Sequence, residues 1–131
     1  MKKEVYVGTY PFGTISVELY AMPNSADGNL SFFPHGELKH RARIRVGVGG
    51  TWLDAVDRLL HETLEMAFIL VNARYAPAPD YSKSQANYMF CMNHEQFADA
   101  ASRAAQFLDH AVVELSRAYK KRGKKKSKKA R

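Results

Sequence analysis

The chain has 131 residues, of which 46% are hydrophobic and 25% charged, and a single cysteine, Cys91. That length and balance suit one folded domain with a real core. The lone thiol excludes an intramolecular disulfide and points to a reducing compartment, so the cytoplasm is the expected location. No apolar run reaches the ~18 residues of a membrane span. Lys2 and Lys3 lead into no apolar segment of the secretory type, so neither a signal nor a membrane partner is expected. The net charge of +7 hides an uneven distribution. Lys120, Lys121, Arg122, Lys124, Lys125, Lys126, Lys128, Lys129 and Arg131 are nine cations with no acid among them, and taking these nine from +7 leaves the first 119 residues at −2.

In chain order, residues 4–10 read as a strand and Pro11-Phe12-Gly13 as a turn. Residues 14–20 form a second strand, with Ile15, Val17 and Leu19 on one face and Thr14, Ser16, Glu18 and Tyr20 on the other. Residues 21–36 are rich in Pro, Asn, Asp and Gly and read mainly as loop, with Leu30-Ser31-Phe32-Phe33 as a short strand or an apolar flap. Residues 37–48 alternate strictly. Leu38, His40, Ala42, Ile44, Val46 and Val48 share one face, and Lys39, Arg41, Arg43 and Arg45 the other. The basic row suits phosphate or an acidic partner. Its plainer reading is a solvated sheet face whose charges discourage edge pairing.

Thr51 is an N-cap with Asp54 three residues on, and it opens a helix over about 51–73. Leu53, Val56, Leu60, Leu64, Ala67 and Val71 recur at helical spacing and form its expected buried stripe. Pro77 and Pro79 end the pattern, and residues 74–87 form a long polar loop. Residues 88–92 are a candidate short strand. Asn93 and Gln96 make a capping box at the start of a second helix, about 94–119. Its expected stripe is Phe97, Ala101, Ala104, Leu108, Ala111, Val112, Leu115 and Ala118. Met66, Met89 and Met92 read as core filler, and His110 as solvated. The sum is an α+β domain over residues 1–119. An antiparallel sheet of three or four strands, drawn from residues 4–48 and from 88–92, packs on two long helices. A disordered basic tail follows at 120–131.

The first helix carries His61-Glu62-Thr63-Leu64-Glu65. Histidine and carboxylate at i and i+4 stand on one side of a helix, at the border of the apolar stripe, whereas Glu62 points further towards solvent. A His-Glu-x-x-His helix supplies two zinc ligands with the intervening Glu as general base, and a carboxylate oxygen can also bind Zn²⁺. The same residues equally describe an ordinary solvated i,i+4 pair. His94 lies on the inward side of the second helix's first turn, either as a hydrogen-bonded residue at a helix end or as a ligand.

Over residues 38–115, strands, a His-Glu-x-x-Glu helix, a loop and a helix opening Asn-His-Glu-Gln-Phe-Ala-Asp-Ala-Ala resemble the minimal zincin-type metallopeptidase domains of phages and mobile elements. The resemblance implies a zincin-like fold and a zinc ion on His61 and Glu65, the latter in place of the family's second box histidine. It also implies a general base at Glu62 and a third ligand at His94 or Glu95, with His94 preferred for its inward position. A zinc-dependent hydrolase of phage or prophage origin, with a peptide added at a sheet edge such as the 38–48 strand, is one expected function. Another is a non-enzymatic module whose basic tail, with the Lys39–Arg45 row, binds nucleic acid. A third is a phage-encoded inhibitor of a host protein. The body carries no ribonucleoprotein box, zinc finger or recognisable helix-turn-helix.

Overall fold

The computed structural model describes residues 3–33, 41–75 and 89–129. The domain is α+β, with two helices packed on a four-stranded sheet. Strands β1 (Val5–Phe12) and β2 (Ile15–Met22) form a hairpin that closes at Gly13-Thr14. Pro11 and Phe12 thus belong to the strand and not to the expected turn, and Phe12 is fully buried. Gly13 adopts φ 65° at the corner, a conformation that costs glycine little. Its N–H donates to Gln106 Oε1 at 2.8 Å, which ties the hairpin to the second helix.

Strands β3 (Gly28–Phe33) and β4 (Arg41–Gly47) are antiparallel to each other, but β4 lies parallel to β2, giving the order β1-β2-β4-β3. The sheet is therefore mixed, which corrects the all-antiparallel expectation. Composition explains the placement. Ala42, Ile44 and Val46 of β4 are completely buried, as a strand paired on both sides requires. The segment Gly28-Asn29-Leu30-Ser31 is poorer in apolar side chains and takes the edge. The expected two-faced pattern of this strand holds for Ala42 to Val46, while residues 37–40 lie outside the described residues.

Helix α1 (Trp52–Leu70) begins with a complete capping box, in which Thr51 Oγ1 accepts from the Asp54 N–H and Asp54 Oδ2 accepts from the Thr51 N–H. It ends at Val71 and Asn72, the latter at φ 59°. A two-stranded ribbon of β5 (Arg74–Tyr75) and β6 (Met89–Phe90) follows. The strand expected near 88–92 therefore belongs to this separate ribbon, and Met89, expected in the core, is exposed.

Helix α2 (His94–Lys129) opens with the anticipated box, Asn93 and Gln96 each accepting the other's backbone N–H. The helices run antiparallel. Gln96 Nε2 donates to Val71 O at one end, and the Trp52 and Tyr119 rings lie 5.5 Å apart at the other. Helix α2 continues through residues 120–129, where the sequence leads one to expect at most a further turn of helix before a disordered tail. Lysine and arginine propagate helices well, no proline intervenes, and cations near a helix C-terminus favour its dipole.

Helix α1 is rotated from its expected face, of which only Ala67 and Val71 are buried, whereas α2 is turned less and buries Ala104, Ala111 and Leu115 of its expected stripe. On α1 the buried residues are Ala55, Leu59, Glu62, Thr63, Met66 and Ala67, whereas Leu53, Leu60 and Leu64 are exposed. On α2 they are Ala100, Ala104, Phe107, Ala111 and Leu115. Phe97 and Val112 are exposed, and Leu108 is only partly buried. Small residues at Ala55, Ala67, Ala100, Ala104 and Ala111 let the layers approach closely. Phe107 fills the middle, with its ring centroid 5.2 Å from that of Phe12.

Candidate functional site

The His-Glu-x-x-Glu box falls in the middle of α1, over its third and fourth turns. His61 is 57% exposed, and its Nε2 lies 3.5 Å from Glu65 Oε2. The other oxygen of Glu65 accepts from Arg74 Nη1 at 2.8 Å. Helix geometry thus pairs His61 with Glu65 as expected, and β5 adds a guanidinium to the same carboxylate.

Glu62 does not point to solvent. It is 5% exposed and packs under the edge strand, where a Cβ at Gly28 would come within 3.3 Å of Glu62 Cγ and 3.4 Å of Oε1. The bare glycine leaves the room the carboxyl occupies. Burial pushes the Glu62 carboxyl above the ordinary carboxylate range, and nearby Glu65 adds to the rise against the opposing influence of His61 and Arg58. Beside it, the Thr63 hydroxyl is buried without a hydrogen-bond partner among the described residues.

His94 and Glu95 are exposed at the start of α2. That start abuts Val71, ten residues and about 15 Å along α1 from His61 at the standard helical rise. His94 and Glu95 are therefore not gathered with His61 and Glu65. Among the described residues no group of three or more His, Cys, Asp or Glu side chains is placed to hold a metal ion.

Arg43 and Arg45 of the basic row on β4 are engaged within the sheet. Arg43 donates to Glu18 at 2.8 Å and lies over the Tyr20 ring, and Arg45 pairs with Glu4 and Asn29. The Glu18 hydrogen bond raises the Arg43 pKa further. The charges of this row balance cross-strand acids, as a sheet face does. Lys39 lies outside the described residues.

The strongest concentration of positive charge is the C-terminal end of α2. Lys120, Lys121, Arg122, Lys124, Lys125, Lys126, Lys128 and Lys129 fall within ten helical residues. Where α2 leaves the body, a cleft of about 580 Å³ opens between it, the N-terminal half of β1 and the turn after β2. Its cations are Lys3, Arg117, Lys121 and Arg122. No sequence pattern joins Lys3 and Arg117. They stand 114 positions apart in the chain, and only the packing of β1 on α2 joins them.

No helix of the described residues is long and apolar enough to cross a membrane. Comparisons with protein-family models, with curated proteins and with solved structures found no match.

Proposed function

We propose that this chain is a non-enzymatic module that binds nucleic acid through the C-terminal part of α2. The observation that carries this reading is the unbroken helix to Lys129. Eight cations over ten residues give about one charge per 1.9 Å of axis at the standard rise. Duplex DNA presents about one phosphate charge per 1.7 Å. A charge density of this order favours phosphate contacts by the cations on whichever side of the helix faces the duplex, and release of the counterions they displace. The −2 body contributes little to this attraction and disfavours wrapping, so binding is largely independent of sequence. The test is a salt titration of binding to a generic duplex. The full chain should show a steep loss of affinity with salt, and removal of residues 120–131 should abolish most of the binding and flatten the slope. Equal binding by the truncated body would place the interface elsewhere.

A second reading, a metal-dependent hydrolase of zincin type, draws support from one observation: the desolvated carboxyl of Glu62 lies against β3, the sheet edge along which a peptide strand could add. The described donors do not fit the implied zinc. The Glu65 carboxylate is held by Arg74, whose charge opposes a cation, and His94 stands at the far end of the helix pair. Metal analysis of tag-free protein tests this reading. One equivalent of zinc, retained by the native chain and lost in His61→Ala, would favour the hydrolase over the nucleic-acid module. Inhibition of a host protein remains the third proposal, and it predicts a stable complex that survives removal of residues 120–131.

A further inference from the structure

The cleft at the root of the basic helix differs from the rest of that helix in having an apolar floor. Val5, Val7, Ala21, Val48 and Ala118 line it. Val48 and Ala21 are each 1% exposed and belong to the core, Val7 and Ala118 pack against it, and Val5 is open to solvent at the edge. Its volume of about 580 Å³ lies within the range of small-molecule sites, roughly 300–1,000 Å³.

The rim is cationic. Among the described residues Glu114 is the one acid on it, and it accepts from Arg117 Nη1 at 2.6 Å. Lys3, Lys121 and Arg122 remain as an excess of positive charge. Arg122 is held in place, with its guanidinium over the Tyr119 ring at 4.7 Å, while Tyr119 itself packs on Trp52. Its Nε is buried and has no hydrogen-bond partner among the described residues. A buried charged donor without an acceptor is costly, and an anionic oxygen offers it a charge-assisted bond. An anchored guanidinium at the mouth of an apolar cleft suits a ligand with one charged end and one greasy end.

We propose that this cleft is a binding site for a small anionic amphiphile, a molecule with an apolar body seated on Val5, Val7 and Ala118 and a single phosphate or carboxylate head held by Arg122, with Lys121 and Lys3 flanking it. The site shares Lys121 and Arg122 with the basic helix but needs the apolar floor, which phosphate contacts along residues 124–129 do not use. Its failure leaves the nucleic-acid reading standing, and the reverse also holds.

The experiment is a titration of the full chain, followed by amide resonances, with octyl phosphate, octanoate, octanol and inorganic phosphate in turn. Octyl phosphate and octanoate distinguish the two head groups. Octanol and inorganic phosphate each present half of the proposed ligand. At least one of the two amphiphiles should saturate one site per chain and shift the amides of Val5, Val7, Val48 and Ala118. Octanol and inorganic phosphate should each bind about tenfold more weakly or less, as expected when a charge-assisted hydrogen bond or the apolar contact is lost.

Arg122→Gln should weaken the amphiphile about tenfold and leave octanol unchanged. Ala118→Trp, which fills the floor, should remove both. Arg58→Gln, which deletes one positive charge from α1, should alter binding less than twofold. Thermal melts of each variant verify folding. Three outcomes would overturn the proposal: inorganic phosphate binding as tightly as both amphiphiles, Arg122→Gln without effect in a folded protein, or shifts confined to the outer faces of the helices.

Discussion

The two faces of α1 invert the usual expectation for an amphipathic helix. The face against the sheet buries Glu62 and Thr63 among Ala55, Leu59 and Met66, while the outer face presents Leu53, Leu60 and Leu64 to solvent. Leu53 is 75% exposed, whereas Glu62, about two and a half turns along the helix, is 5% exposed. Neither hydrophobicity nor helical period decides which face of such a helix goes inward. The decision belongs to what the sheet offers: Ile44 and Val46 for Met66 and Leu59 to pack near, and a glycine at position 28 under which a carboxyl fits.

Cutting into the inner face should cost the most stability. Met66→Ala should destabilise the domain by about 2–5 kcal/mol, because the cavity sits among completely buried neighbours, whereas Leu60→Ala should cost less than about 1 kcal/mol. Chemical denaturation of both variants checks this, and equal losses would show that the two faces carry similar weight. Thr51→Ala loosens the helix start without favouring either face. It should cost about 1 kcal/mol as a lost N-cap, measured by the same titration.

Glu62 gives the comparison a pH signature. Its folded carboxyl holds its proton more tightly than the unfolded one. The stability it contributes is therefore fully present below the unfolded carboxylate pKa, about 4.3, and is lost as pH rises through the higher folded value. Glu62→Gln, which cannot ionise, should flatten the stability profile across that window and leave the protein no less stable at neutral pH. A variant that keeps the native pH slope would mean that another group is responsible. The smallest effect belongs to Leu53→Gln, within about 0.5 kcal/mol of the native chain in a thermal melt.

Much of the secondary structure is legible from local chemistry. The alternation of Ala42, Arg43, Ile44, Arg45 and Val46, and both capping boxes, appear where short-range rules place them. The rotation of the helices is not legible, because Ala55 and Val56, Leu59 and Leu60, and Met66 and Ala67 are adjacent apolar pairs. Two stripes about 100° apart therefore fit the same period. The parallel contact between β2 and β4 is a choice among strand orders that no single strand encodes. The candidate site divides in the same way. His61 and Glu65 meet because helix spacing requires it, whereas Arg74 reaches Glu65 from the strand after the helix, and Gly28 over Glu62 and Lys3 on one cleft with Arg117 join segments remote in sequence.

The parallel seam has a kinetic consequence. The sheet consists of two hairpins, β1-β2 and β3-β4, each closed by residues near in sequence and joined only along their inner strands. Each can form early at small entropic cost, because its loop is short. The seam between β2 and β4 brings together Ser16 with Arg41 and Met22 with Gly47, and its strands share no short turn. Helix α2 lies over the first hairpin and α1 over the second, so docking of the helix pair draws the hairpins together. This topology predicts that the central strands of the sheet meet late, so that substitutions along the seam should accelerate unfolding more than they slow folding.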